Sequence, residues 1–147
     1  MDNLLIKPNG CLFHIDFGYI LGNDPKPYPP PMKLCSEMID GMGGDKSENY
    51  KLFLKNCCTA YIILRKHARR ILNMFILMID ANIENIVGMS GSDPMINLMK
   101  LQEKFQLELN DEEAILFMQS VIDESKNAIL AQLFEAGHRW GQYWKNK

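Results

Sequence analysis

The chain has 147 residues, of which 47% are hydrophobic and 23% charged, with 16 Lys and Arg against 18 Asp and Glu. This composition suits a folded domain and excludes an intrinsically disordered chain, which needs low hydrophobicity and high net charge. The net charge of −2 argues against a general nucleic-acid binder, and the length excludes a large, self-contained, two-lobed enzyme.

The first predicted element is a β-hairpin. The apolar runs Leu4–Ile6 and Cys11–Ile15 flank Pro8-Asn9-Gly10, and Asn-Gly is the strongest short hairpin signal. A two-residue Asn9-Gly10 turn would place Asn3 directly opposite Asp16 at the open end of the hairpin. Opposed Cβ atoms lie about 4.5–5.5 Å apart, so we expect an amide oxygen and a carboxylate to meet there.

A long segment rich in proline and glycine follows, from Gly18 to Gly44. It contains the run Pro29–Pro31, which favours extended polyproline, and it ends in Gly41-Met42-Gly43-Gly44. A loop of this length inside a compact domain is typically functional or disordered.

From Asp45 onwards the sequence predicts helices. Apolar residues recur every three or four positions from Phe53 to Ile79, with Asp45 or Ser47 as alternative N-caps. Because that span exceeds an ordinary globular helix, we expect a break near Lys66 to Arg69 and two packed helices.

Two further helices carry start signals in the sequence. Asp93-Pro94 predicts the start of a short helix that runs through Phe105, and Asn110 to Glu113 form a capping box before another helix. A last helix is expected from about Ala128 to the end. The predicted fold class is therefore mainly α with a short β-hairpin.

Cysteine usage and hydropathy bear on the compartment. The four cysteines contain no C-x-x-C pair, which favours buried thiols in a reducing compartment; they are Cys11, Cys35, Cys57 and Cys58. No secretory signal pattern is present, and the most apolar stretch, Ile71 to Ile79, is too short to span about 30 Å of hydrocarbon. We therefore expect a cytosolic protein or one peripheral to membranes.

The chemistry-bearing residues cluster around the hairpin. Asp16 is followed by Phe17 and Gly18, and Asp-Phe-Gly is the magnesium motif of kinases, in which a preceding Asn holds a second metal. The oxygens of Asn3 and Asp16 are hard ligands suited to Mg²⁺. The alternative is that Asp16 is a turn or cap residue and Asn3 part of a frayed terminus.

Longer stretches carry a family resemblance. The segment from His14 to Gly22 resembles the metal-binding motif and early activation loop of phosphatidylinositol 3-kinases. The segment from Asp24 to Leu34, and Gly41 to Gly44 after it, resemble the class III branch. The resemblance continues through Leu77–Ile83, Asp111–Ala114, Ile122–Ser125 and Gln142–Trp144, and thus covers essentially the whole chain.

The resemblance implies a fold and its division along the chain. The chain would be the C-lobe portion of a protein-kinase-like (PI3/PI4-kinase) fold. Residues 1–16 would form the metal-site hairpin and 17–44 the activation loop. Residues 45–127 would form the helical core, and 128–147 the C-terminal membrane-proximal helix.

The resemblance also implies a function. The parent enzyme would phosphorylate the 3-hydroxyl of phosphatidylinositol with ATP, in endosomal and autophagic membrane trafficking. Asn3 and Asp16 would hold Mg²⁺ or Mn²⁺. The catalytic-loop Asp, Arg and His of the family would precede Asn3, so no catalytic residue is expected in this chain and the fragment alone should be inactive.

Partners and location follow from the same resemblance. They are phosphatidylinositol in membranes, a regulatory protein-kinase-like subunit and a beclin-type subunit, with no nucleic acid. The protein would be cytoplasmic and peripheral on endosomal and autophagic membranes. Rival interpretations are a phosphatidylinositol 3-kinase-related protein kinase, or a helical interaction module or pseudo-enzyme.

The implied activation loop carries few cations. The loop begins with the motif residues Phe17 and Gly18, and its only cationic residues are Lys26 and Lys33. Recognition of a phosphorylated inositol calls for a cluster of basic residues. We expect the two lysines to contact an unphosphorylated inositol headgroup or its single lipid phosphate. They would otherwise be solvated surface lysines.

Both tryptophans lie in the C-terminal segment. Trp140, Tyr143 and Trp144 share one helix face beside Arg139 and Lys145, a pattern typical of a membrane interface. The alternative is that these aromatic residues pack on the domain itself.

Two polar features have plainer interpretations. A basic run, formed by Arg65, Lys66, His67, Arg69 and Arg70, is expected to be a solvated helix face or a cover over apolar surface. His14 is expected to be an ordinary strand residue rather than a general base.

Overall fold

The computed structural model describes residues 3–17, 31–32, 34–81 and 93–127. They belong to two compact units, one drawn from Met1–Pro25 and Arg69–Lys104 and the other from Lys26–Ala68 and Phe105–Lys147. The described part is mainly helical with one two-stranded sheet, which confirms the predicted fold class.

The first unit begins with the predicted hairpin. Strands β1 (Leu4–Ile6) and β2 (Leu12–His14) pair antiparallel with Leu5 opposite Phe13. This register differs by one residue from the predicted one, which placed Leu5 opposite His14. The loop therefore has three residues, Pro8 to Gly10, instead of two.

Pro8 explains the different register. The residue before a two-residue loop must donate its amide hydrogen across the strands, and proline has none. Lys7 takes that place instead: its amide donates to the Cys11 carbonyl (2.9 Å), and its carbonyl accepts from the Gly10 amide (2.9 Å). Gly10 closes the loop at φ 84°, a left-handed conformation that glycine adopts without steric cost.

The same unit contains two short helices, α3 (Ala68–Leu77, whose first residue falls in the other unit) and α4 (Pro94–Glu103), and a 3-10 turn at Ile79–Ala81. Helix α4 starts as predicted: the Asp93 carboxylate accepts from the Met95 amide (2.9 Å), and Pro94 occupies the first turn. The helix ends two residues before the predicted limit at Phe105.

The second unit contains α1 (Ser36–Gly41), α2 (Glu48–Lys66) and α5 (Asp111–Asn127). Helix α1 corrects the expectation of a continuous loop up to Gly44. Its six residues follow Cys35, whose side chain makes no capping hydrogen bond, so the usual start signal is missing. Helix α2 ends at Lys66 and α3 begins at Ala68, where the break was predicted.

Local side-chain bonds explain where α2 and α5 begin. Of the two candidate caps for α2, Ser47 is the one used: its hydroxyl accepts from the Tyr50 amide (3.1 Å) and donates to the Met42 carbonyl (2.7 Å). The predicted capping box is also formed, because Asn110 accepts from the amides of Glu112 and Glu113 while Glu113 accepts from the Asn110 amide.

The core of the second unit joins α1, α2 and α5. Leu34, Tyr50 and Ile122 are buried at its centre, and Met38, Ile39 and Met42 from and just after α1 pack against them with other half-buried residues. These three residues occupy one side of α1, so burial of apolar surface, about 25 cal/mol per Å², holds this short helix in place. The rings of Tyr61 and Phe117 add a tilted aromatic contact between α2 and α5, with their centroids 6.1 Å apart.

Arg65 does not fit the first of its two expected roles, a solvated helix face, but its guanidinium carbon lies 5.9 Å from the Tyr61 ring centroid, as a cover over apolar surface would. Its side chain is only 7% exposed, so it is not part of a solvated face. The guanidinium donates to the carbonyls of Phe105 (2.8 Å), Gln106 (2.8 Å) and Leu109, and lies 3.4 Å from the Asp111 carboxylate. Arg65 thus ties the loop before α5 to α2. The other four residues of the basic run are exposed, whereas Ala68, the first residue of α3, is buried.

Candidate metal site at the hairpin end

The candidate site lies at the open end of the hairpin. Beyond the last strand pair, the Ile15 amide donates to the Asn3 carbonyl (3.1 Å), so the ladder continues for one more residue. Asn3 therefore lies opposite Ile15, and the prediction that it lies directly opposite Asp16 is wrong by one position.

A local backbone turn nevertheless brings the two predicted side chains together. Asp16 has φ 63°, in the left-handed region that non-glycine residues seldom adopt but that Asp tolerates better than most. In this conformation its carboxylate accepts a hydrogen bond from the Asn3 side-chain amide (3.1 Å). Unusual backbone of this kind concentrates at functional sites, and here it orients a carboxylate.

The donor set suits a hard divalent cation. The two side chains offer a carboxylate and an amide oxygen, and both residues are exposed at the end of the hairpin. Within the described ranges, no group of three His, Cys, Asp or Glu side chains forms a metal cage. Mg²⁺ is held in kinases by one or two such protein ligands together with substrate phosphates and water, so the pair fits this ion.

The neighbouring predicted residues lie as follows. Phe17 is 67% exposed. His14 is also exposed, and it lies on β2, where its backbone is opposite that of Leu4. An exposed hydrophobic side chain therefore directly follows the Asp16 carboxylate.

Several predicted site residues lie outside the described residues. They are Gly18, Lys26 and Lys33 of the implied activation loop, and Arg139, Trp140, Tyr143, Trp144 and Lys145 of the C-terminal segment. Their roles remain predictions. In the part of the chain that is described, no helix is both long enough and apolar enough to cross a membrane.

A groove of about 620 Å³ between α2 and α5 is a different kind of site. Its floor is apolar, with Leu54, Ile62 and Ile115 among its lining, and lysines such as Lys55 stand at its edge. It has no carboxylate among its lining residues and so no ligand for a metal–nucleotide complex.

One residue within the implied activation loop makes a hydrogen bond that the sequence did not reveal. The Met32 amide donates to the hydroxyl of Ser125 on α5 (3.0 Å), across 93 positions of the chain. The sequence shows only a serine, Ser125, within the predicted helix. A serine there is usually bonded to its own helix, so spacing gives no hint of a distant partner.

Comparison with known proteins gives a consistent result. The sequence profile of the phosphatidylinositol 3- and 4-kinase family matches residues 1–87. The chain itself is 54% identical, over 145 residues or 99% of its length, to the "phosphatidylinositol 3-kinase, nodule isoform" of Glycine max. The same stretch is 52% identical to the phosphatidylinositol 3-kinase VPS34 of Arabidopsis thaliana and 44% identical to that of Saccharomyces cerevisiae.

The chain spans about a sixth of the length of these relatives: 17%, 17% and 16%. The matches confirm the resemblance that was inferred from the sequence motifs. The chain belongs to the phosphatidylinositol 3- and 4-kinase family and is part of its kinase domain.

Proposed function

We propose that the protein containing this chain transfers the γ-phosphoryl group of ATP to the 3-hydroxyl of phosphatidylinositol. The observation that carries the proposal is the Asn3–Asp16 pair, held 3.1 Å apart at the start of an Asp-Phe-Gly sequence. The names of the relatives, all phosphatidylinositol 3-kinases, support the substrate.

In this proposal Asp16 and Asn3 hold the Mg²⁺ that accompanies ATP. The ion, when bound, neutralises charge on the phosphates as the phosphoryl group leaves. The Asn3 amide hydrogen bond fixes the direction of the Asp16 carboxylate, and the left-handed backbone of Asp16 keeps that carboxylate at the hairpin end. Positioning of this sort supplies most of the catalysis in phosphoryl transfer, where the protein does little covalent chemistry.

The remaining segments receive roles that extend the proposal. Residues 17–44 form the activation loop, in which Lys26 and Lys33 contact the lipid headgroup, and the aromatic and basic residues 139–145 contact the membrane. The protein acts on endosomal and autophagic membranes with a regulatory protein-kinase-like subunit and a beclin-type subunit. The low basic content of the loop supports an unphosphorylated headgroup as substrate.

A lipid kinase assay of the full-length protein tests the proposal. Vesicles would carry phosphatidylinositol, its 4-phosphate or its 4,5-bisphosphate, with MgATP as donor. We expect turnover chiefly of phosphatidylinositol, with phosphate on the 3-hydroxyl. Turnover confined to the phosphorylated lipids, or to protein substrates, would contradict the proposal.

Variants assign the role of the hairpin end. Asn3→Ala should lower kcat about 10- to 100-fold, because the Asp16 carboxylate loses both its neighbouring ligand and its hydrogen bond. The matched control is Asp80→Asn, which removes an exposed carboxylate from the 3-10 turn and should leave turnover within about twofold. Equal losses in both variants would show general damage rather than a metal-site effect.

A further inference from the structure

Ser125 is the one buried polar residue among the described residues, at 2% exposure near the end of α5. Its hydroxyl donates to the Val121 carbonyl of its own helix (2.8 Å) and accepts the Met32 amide hydrogen (3.0 Å). A helical serine commonly makes the first of these bonds. The second bond is long-range: it gives a part-buried backbone amide a partner 93 positions away in the sequence.

The next residue makes a second attachment. The Lys126 ammonium is 2.7 Å from the Asp45 carboxylate and lies over the Tyr50 ring at 5.9 Å. The last turn of α5 therefore holds both ends of the segment from Met32 to Asp45, which includes α1. Leu34 and Ile122 belong to the buried cluster against which Met32 packs.

The position of Met32 gives the first attachment its importance. Met32 directly follows Pro29–Pro31 in the sequence and lies within residues 17–44, which the proposed function assigns to the lipid headgroup. Because proline has no amide hydrogen, Met32 is the first residue after Tyr28 that can be fastened through its amide.

We propose that Ser125 is a positioning residue for the lipid substrate: by bonding the Met32 amide to α5 it holds the start of the segment that leads into α1. The inference rests on the proposed function, in which residues 17–44 contact the lipid headgroup. It assigns to α5 a residue that touches neither ATP nor lipid and yet sets the affinity for lipid.

The test uses the full-length kinase with Ser125→Ala and Ser125→Cys. Alanine removes only the oxygen, and cysteine keeps a side chain of similar shape with a weak acceptor, so neither should prevent folding. The control is Ser120→Ala on the same helix, because the Ser120 side chain is exposed and its hydroxyl donates to the Phe117 carbonyl of its own helix (2.7 Å).

Two measurements are made on each variant. Amide hydrogen exchange of a peptide spanning residues 28–32 reports the Met32 amide, since its first residue is a free amine and the next three are prolines. We expect this exchange to be about 5- to 10-fold faster in both Ser125 variants. On vesicles of phosphatidylinositol and phosphatidylcholine, we expect the KM for phosphatidylinositol to rise about 3- to 10-fold, with the KM for ATP and lipid-free ATP hydrolysis within about twofold.

The outcomes separate the claims. Unchanged Met32 exchange, or faster exchange with an unchanged lipid KM, would overturn the positioning role while an active wild type still supports the proposed function. Equal effects on the lipid KM, the ATP KM and kcat would also overturn it, because general loosening would explain them. A wild type that phosphorylates no inositol lipid would overturn the proposed function and this inference with it.

Discussion

Arg65 offers the most direct test of what organises the second unit. Its guanidinium donates to three backbone carbonyls of the loop before α5, those of Phe105, Gln106 and Leu109. Gln106 has φ 46°, a left-handed conformation that the surrounding contacts must hold. Replacing Arg65 with Ala would leave these carbonyls to water and release the loop.

The size of the effect follows from those contacts. Hydrogen bonds from a charged donor contribute about 1.5–3 kcal/mol each, but water would reach some of the carbonyls after substitution, so the sum is not recovered in full. We expect Arg65→Ala to destabilise the loop by about 3 kcal/mol. Arg65→Lys should recover at most about a third of this, because an ammonium cannot reproduce the planar donor geometry of the guanidinium.

Hydrogen exchange in the full-length protein measures the effect. Peptides covering residues 105–114 should exchange about 100-fold faster in Arg65→Ala, the factor that corresponds to about 3 kcal/mol of local opening. Arg69→Ala, which removes an exposed arginine of the same basic run, should change exchange of these peptides by less than about twofold. Unchanged exchange in Arg65→Ala, or full recovery by lysine, would refute the reasoning.

Three further predictions concern titratable groups in the described chain. The hydrogen bond and charge of Lys126 hold the pKa of Asp45 below 3.8, so their pair stabilises the fold above that pH and the stabilisation is lost as pH falls through the lowered pKa. The difference in unfolding free energy between wild type and Asp45→Asn should therefore be constant near neutral pH and vanish in acid; a constant difference at all pH values would contradict this. Tyr50→Phe should be neutral or stabilising by up to about 1 kcal/mol in urea unfolding, because the buried Tyr50 hydroxyl has no partner among the described residues, and a loss above about 1 kcal/mol would show that it has one. Burial raises the pKa of the Cys58 thiol, so iodoacetamide should label the exposed Cys11 at least about 10-fold faster, measured by mass spectrometry of the folded protein, and equal rates would argue against the burial.

The features that the sequence predicted well are local. The caps at Asp93 and Asn110 bond to amides two or three residues away, so the sequence alone contains both partners. The break after Lys66 was predicted from helix length, and the family was recognised from contiguous motifs around Asp16.

The features that the sequence failed to predict depend on distant partners or on a single backbone angle. The backbone partners of Arg65 were not predicted because they lie 40 or more positions away. Helix α1 was missed because its stability comes from packing on Ile122 and Tyr50 rather than from a cap. The hairpin register failed because the missing amide hydrogen of Pro8 was not weighed against the Asn9-Gly10 turn signal.

The Asn3–Asp16 contact combines both cases. The sequence identified the two residues correctly as neighbours, but for a reason that the register contradicts. The left-handed backbone conformation of Asp16 places its carboxylate beside the Asn3 side-chain amide. No pattern in the sequence predicted that conformation. Whether the pair holds a metal is therefore a question for measurement.

Binding of Mn²⁺ in the presence of ATP, followed by electron paramagnetic resonance on the full-length protein, tests this central claim most directly because it does not depend on catalysis. We predict that Asp16→Asn weakens Mn²⁺ binding at least about 10-fold, while Asp80→Asn leaves it unchanged. Equal Mn²⁺ affinity in wild type and Asp16→Asn would contradict the account.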